Sequence, residues 1–412
     1  VLLATSYDFR LSTFPTSDIA LPVFRAIAIT GVSYMIILGK HQASNGKFAN
    51  TPYVILLCAM LVACKHNNTT VMDTKGLWIA NGTDVLEYIP NQLMSGTAAT
   101  VPHLMLKSKA FGAPQGVTFD SAGNLWVMDP AGVVNGNTTP ALFKFSAAQL
   151  AALGMNSAPD PVATITTTGL AAPQQSVFDA AGNQWVADHD GNAVLVFTAA
   201  QLAMTGDNPT VPAVTITSTA FNGPLGIAFD SAGNLWIANN GGVAGANGAA
   251  SPTGTTIVEF AAAHLPMVPT TGMVEPALTP DITLSDNGMG SIQAPWALVF
   301  DSAGNLWSSN ADTPNTLVEF AKATLMATGA PLPAVTIKPA MAGGNPTLDA
   351  PNGLCFDNNG DLAATNSAGA FGISIYAKGQ LMTGAPTPST FIIGTATTLL
   401  DTAGCTFGPV VN

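Results

Sequence analysis

The sequence predicts an all-β fold, a six-bladed β-propeller of four-stranded antiparallel blades, closed by pairing the C-terminal strand with the N-terminal blade. Three observations carry this expectation. The stretch PQGVTFDSAGNLWVMD, starting at Pro114, recurs at Pro173, Pro224, Pro295 and Pro351. Repetition at this period marks a propeller or solenoid before any residue is considered singly. Within each copy the apolar residues alternate with period two on either side of a turn. Finally, fragments of a further copy stand at the two ends of the repeat region.

In Gly116-Val117-Thr118-Phe119, Val117 and Phe119 share one face and Thr118 takes the other, as in a strand. Residues 120–124 (DSAGN) supply the turn, where Asp and Asn bond local backbone and Gly takes a left-handed conformation. Leu125-Trp126-Val127 begins a second strand. A Gly-rich loop of variable length, longest at 239–255, leads to a third strand at 141–145. A fourth lies at 162–166, echoed by Val214-Thr215-Ile216 and Val335-Thr336-Ile337. Four antiparallel strands per unit make a propeller blade.

A smaller repeat separates the third and fourth strands: SAAQL at 146–150, TAAQL at 198–202, AAAHL at 261–265, AKATL at 321–325 and AKGQL at 377–381. Ala-rich and ending in Leu, it reads as one helical turn packing its Leu onto the blade edge. His264 aligns here with Gln149 and Gln201 and reads as a surface residue.

The ends set the blade count. Gly76 to Asn81 matches a second strand and Val85 to Tyr88 a third, with no full first strand ahead of them. Gly404-Cys405-Thr406-Phe407 matches Gly353-Leu354-Cys355-Phe356, and so supplies the missing inner strand. Five complete units and this composite give six blades, and closure removes the exposed edges that invite aggregation. The Phe markers at 119, 178, 229, 300, 356 and 407 lie 59, 51, 71, 56 and 51 residues apart. These spacings exceed the compact propeller repeats of about 40–50 residues, with the excess in loops.

Composition excludes some functions. Only 9% of residues are charged, the formal net charge is -12, and 12 Lys and Arg are scattered along the chain. Nucleic-acid binding needs clustered cations and is not expected. With 48% hydrophobic residues in a regular pattern, disorder is not expected either.

Residues 1–64 carry no repeat, so the domains read as 1–64, a signal region, and 65–412, the propeller. Thr51 to Ala63 is an apolar run preceded by Lys40 and Lys47, too short to span a membrane but suited to a secretory signal. It ends in Leu61-Val62-Ala63-Cys64, which resembles the lipobox of bacterial lipoproteins. That resemblance implies lipidation of Cys64, a place in the cell envelope facing the periplasm or exterior, and, with Lys65 next, export to an outer membrane where one exists. Residues 1–34 precede any normal signal, which puts the expected start near Met35. Ala20 to Leu38, interrupted by Arg25, is the lesser alternative as a transmembrane helix. Cys355 and Cys405 sit one position apart in register on equivalent strands, so their side chains point to opposite faces, which argues against a disulfide.

The repeated PxG-hydrophobic-x-FDxxGNLWVxD resembles the NHL-type repeat, within the six-bladed group that includes gluconolactonases and streptogramin lyases. The resemblance covers roughly residues 70–412 and implies a fold more than an activity. In the lyases the PxG turn carries His and the second strand ends in Glu; this chain has neither. Gluconolactonases hold a divalent metal with Asn and Asp at PxG-type positions plus a Glu, and only Asn352 matches. Glu87, Glu259 and Glu319 align in third strands and read as structural.

Trp78, Trp126, Trp185, Trp236 and Trp307 share one repeat position and read as blade packing, with Ala363 at the sixth. Candidate function falls where copies differ. The variable PxG residue is Gln115, Gln174, Leu225, Trp296 or Asn352, at the start of the innermost strands. The last residues of the second strands, Asn81, Asp129, Asp188, Asn239, Asn310 and Asn366, should come to the same channel mouth, with His189, Asp190 and Asp312 nearby. Such a mouth is the default ligand site. Gln115, Asp129, Gln174, Asp188, His189, Trp296 and Asn352 are the ligand-binding candidates. Asn352, Asp129 and Asp188 are the candidates for a divalent cation, Ca or Mg, through oxygen ligands.

The chain is therefore expected to be an exported, lipid-anchored, monomeric binding or scaffold propeller. Its partner would be a protein, peptide or carbohydrate, its membrane contact only the lipid anchor. The alternative is a metal-dependent lactonase or lyase using the same mouth.

Overall fold

The structure, a computed structural model, describes residues 75–94, 100–242, 253–268, 277–368, 371–393 and 398–411, with short strands at 6–8, 25–27, 36–38 and 273–274. It divides into two compact units, Val1–Thr69 and Thr70–Asn412. In the first, Ser6–Asp8, Arg25–Ile27 and Ile36–Leu38 pair antiparallel. Two of these strands fall within the Ala20–Leu38 run, and among the described residues no helix is long and apolar enough to cross a membrane. Cys64 and its apolar run lie outside the described residues.

The second unit is a six-bladed propeller of four-stranded, mostly antiparallel sheets. The first blade takes its inner strand, Thr402–Pro409, from the C-terminus and pairs it with Lys75–Asn81, followed outward by Asp84–Tyr88 and Leu104–Lys107. The second blade runs Gly116–Phe119, Leu125–Asp129, Ala141–Phe145 and Ala163–Thr166 from channel to rim. The inner strands of the third to sixth blades are Pro173–Phe178, Pro224–Phe229, Pro295–Phe300 and Pro351–Phe356. The blade count and its composite closure are as the sequence predicts.

The repeated motif holds each blade together and then joins it to the next. Asp120 accepts the backbone N–H groups of Ala122 and Asn124 at Oδ1, and the side chains of Asn124 and Trp126 at Oδ2. Asn124 Oδ1 then accepts the N–H of Ala147, which seats the helical turn on the strand turn. Across the blade boundary, Phe119 meets Trp78 with ring centroids 5.5 Å apart, and Phe178, Phe229, Phe300 and Phe356 meet the Trp of the preceding blade in the same way. Each Trp is nearly or fully buried. The five repeated Trp are architecture.

One connection has no sequence expectation behind it. After each helical turn the chain reaches back to the outer strand of the preceding blade. Gly206–Pro209 runs parallel to Ala163–Thr166, and Met273–Val274 to Val214–Thr217. Gly329 bridges Leu284, Gly384 bridges Ile337, and Ser157 accepts the N–H of Lys107. Thr390 closes the circle by donating its hydroxyl to Leu93 O at 2.6 Å. Backbone groups make most of this outer clasp, which is why no side-chain pattern announces it. Leu150, Leu202 and Leu325 of the helical turns are buried as expected.

Cys355 and Cys405 form a disulfide, with Cα atoms 6.1 Å apart, against the sequence expectation. The two side chains do point to opposite faces of equivalent strands. In a ring, however, opposite faces of neighbouring blades are the ones that meet. Phe407 and Cys405 face back to the sixth blade, Cys355 faces forward to the first, and all three pack in one cluster. The bond therefore ties the two inner strands on either side of the ring closure.

Candidate functional site

The six second-strand ends are buried inside the blade roots, fully shielded from solvent. Asp129 accepts N–H groups from Gly112, Ala113 and Ala131 at 2.8–2.9 Å. Asp188 likewise accepts those of Ala171 and Ala172. At the amide positions Asn81, Asn239, Asn310 and Asn366, Oδ1 accepts one N–H from the connection entering the inner strand, and Nδ2 donates to a carbonyl of the same connection. These residues hold the inter-blade connections in place. Burial pushes the Asp129 and Asp188 carboxyls above the usual carboxylate range, although the N–H bonds oppose it.

The cation reading of Asn352, Asp129 and Asp188 does not fit this geometry. Both carboxylates are taken up by backbone donors in different blades. Asn352 is 2% exposed, and its Oδ1 accepts from Thr365 Oγ1. Among the described residues no group of three or more His, Cys, Asp or Glu could hold a metal.

The other candidates are separate. Gln115, Gln174 and Trp296 are half-buried at the start of their inner strands. Gln115 O accepts the N–H of Gly404. The Gln174 and Trp296 carbonyls lie against Gly116 and Gly226, where an added Cβ would sit 2.0 and 2.4 Å from them. Glycine recurs after the variable residue because neighbouring inner strands nearly touch there. His189 faces oxygen at both ring nitrogens, Asp190 Oδ1 at 2.6 Å and Gly241 O at 2.8 Å. It bridges the third and fourth blades. His264 is exposed and bonds Asp281 in place of the Gln used by other blades.

The third blade breaks the glycine rule. Gln175 stands where the other blades have Gly or Ala, and its Nε2 reaches 3.4 Å to Asn352 O in the sixth blade, directly opposite. The side chain thus crosses the channel beneath the predicted mouth. Below it lies a cavity of about 420 Å³ lined by all six inner strands, from Gln175 and Gly404 to Phe229, Phe300, Phe356, Phe407 and Lys75. Lys75 begins the second strand of the first blade, where other copies have their strand turn, so the cavity occupies the turn-bearing half of the channel. None of the seven ligand-binding candidates lines it.

Its wall is two-sided. Ile227, Leu298 and Leu354 make it apolar on the fourth to sixth blades, whereas Gln175, Ser176 and Thr118 are polar. Ser176 donates to Met128 Sδ at 3.2 Å, a weak acceptor, and accepts Gln184 Nε2 at 2.9 Å. Gln184 Oε1 is buried with no partner. Ser176 replaces an apolar residue or Cys of the other copies, and Gln184 replaces their Leu. Comparing copies at these constant positions, PQQS against PQGV and GNQW against GNLW, would have found this wall; comparing only variable positions did not.

Glu87 and Glu259 are also buried with one unpartnered carboxylate oxygen each. Burial pushes both up to about 7 from an ordinary 4.5. The folded chain therefore keeps a proton that the unfolded chain releases between 4.5 and about 7, so stability falls as pH rises through that window. Unfolding midpoints should be higher at the acid end of that window than above it, and Glu87→Gln should reduce the difference while the Glu259 share remains.

Taken together, fold and channel define a six-bladed β-propeller whose cavity is plugged on one side by a glutamine. Compared by sequence, the chain matches no family model and no curated protein. Among solved structures it is similar to a Bacteroides caccae protein of unknown function, at 10% identity and TM-score 0.52, over 82% of this chain and 100% of that one. It is also similar to a periplasmic gluconolactonase of Pseudomonas aeruginosa, at 13% identity and TM-score 0.47, over 78% and 99% of the two chains. Virginiamycin B lyase of Staphylococcus aureus matches at 13% identity and TM-score 0.37, over 65% and 67%. These likenesses concern the fold.

Proposed function

We propose that this chain is a binding propeller, held at the cell envelope by a lipid on Cys64, that takes a small molecule into its central channel from the turn-bearing face. The carrying observation is the cavity of about 420 Å³ beneath Gln175, within the size range of small-molecule sites. Its apolar side chains on the fourth to sixth blades and its polar Gln175–Ser176 side fit a small amphiphilic molecule. Lys75 is the one charged residue of the lining. Neither carboxylate nor imidazole lines the cavity to move a proton, which favours binding over the lactonase or lyase alternative.

Anilinonaphthalene sulfonate is an amphiphile of suitable size. It should bind the full chain with one-to-one stoichiometry and blue-shifted fluorescence. Gln175→Trp, which fills the channel without touching the blade cores, should weaken that binding about tenfold or more, a change of roughly 1.4 kcal/mol. Unchanged affinity would remove the channel from the account. The anchor is tested separately: Cys64→Ala should move the protein from the membrane to the soluble fraction, and unchanged partition would refute lipidation.

A further inference from the structure

Every blade carries an exposed methionine within five residues of the Leu that ends its helical turn. These are Met94, Met155, Met204, Met267, Met326 and Met382, with exposures from 48% at Met204 to 90% at Met267. The sixfold repetition is not explained by the outer clasp that follows, because Gly206, Gly329 and Gly384 make its bonds through backbone. Nor is it core packing, since the side chains face solvent. Val101, Val211 and Leu332, in the same connections, are exposed as well.

All six lie on one face. The N–H at the start of a helical turn is bonded to the strand turn of its own blade at Ala147, Ala199, Ala262, Lys322 and Lys378. In the first blade Tyr88, next to the helical turn, pairs with Leu77 at the same end; the methionines therefore ring the turn-bearing face, outward of the channel mouth. Lys75, where the chain enters the first blade, lines that mouth. Cys64 is separated from it by ten residues, no more than about 40 Å of extended chain. A lipid on Cys64, as proposed above, would tether the chain by way of this face.

We infer that the methionine-bearing rim rests on the lipid surface when the protein is anchored. The inference builds on the Cys64 reading above. Methionine is flexible and polarisable and fills irregular apolar surroundings, which suits shallow contact with the boundary between headgroups and acyl chains. At a net charge of -12 the contact is apolar rather than electrostatic, so raised salt does not release it. In this orientation the channel opens toward the interface where a molecule with an apolar body and one polar end collects.

The test uses the full chain with Cys58→Ser, coupled at Cys64 to a maleimide phospholipid, so it does not depend on lipidation in cells. Protein bound to neutral phosphatidylcholine vesicles is isolated by flotation and treated with dilute hydrogen peroxide, and sulfoxide formation is followed at each methionine by mass spectrometry. Met289 and Met341 are 84% and 67% exposed in connections entering inner strands on the other face, and serve as internal references. The six rim methionines should oxidise about fivefold or more slowly on vesicles than in the uncoupled chain, while Met289 and Met341 keep their rates. Equal rates on and off vesicles at the rim, or equal protection of all eight, would overturn the inference. Failure of lipidation itself shows only in the Cys64→Ala partition, so the two outcomes are distinguishable.

Discussion

Trp126→Ala lowers the stability of the folded chain by about 3–5 kcal/mol, the usual cost of emptying a buried aromatic site. Trp126 is fully buried, donates to Asp120 Oδ2 at 3.1 Å, packs on Phe178 of the third blade and lies under Lys144 Nζ. The loss therefore strikes one blade and its boundary together. Trp126→Phe separates the two contributions. It keeps most of the packing and forfeits the hydrogen bond, so it should cost only about 1 kcal/mol. Denaturant midpoints of the two variants against the parent are the check. Equal midpoints for both variants would mean that the Asp120 bond, not the packing, carries the site.

Cys405→Ser is the second large effect. The disulfide spans 50 residues of sequence, and closing a loop of that length in the unfolded chain is worth about 4 kcal/mol. It adds to the Thr402–Pro409 strand pairing at the one place where the ring is shut by chain ends. The midpoint of thermal unfolding should fall by roughly 5 °C, and the parent protein under reducing conditions should fall to match. A variant as stable as the oxidised parent would show that strand pairing alone closes the propeller.

The architecture was legible because it is written in side chains. Phe119, Asp120, Asn124 and Trp126 each have a bonding or packing role that most copies repeat, so periodicity exposes them. The outer clasp was hidden because its bonds come from backbone at Gly206, Gly329 and Gly384, leaving only a faint recurrence of residues. The Cys355–Cys405 pair was legible in parity but misread in consequence: opposite faces separate two residues within one sheet and bring them together between adjacent blades. The seven ligand candidates were chosen at variable positions, and Asp129 and Asp188 differ from their Asn counterparts mainly in how many backbone N–H groups they accept. Gln175, Ser176 and Gln184 were visible too, as departures at positions otherwise constant.

The central claim is that a ligand binds inside the channel, beneath Gln175, and not at the mouth marked by Trp296 and His189. The crystallographic position of bound anilinonaphthalene sulfonate in the full chain tests it most directly. Density is expected among Ser176, Leu298 and Leu354, below the Gln175 side chain. Density against Trp296 or His189, with the channel holding only water, would contradict it.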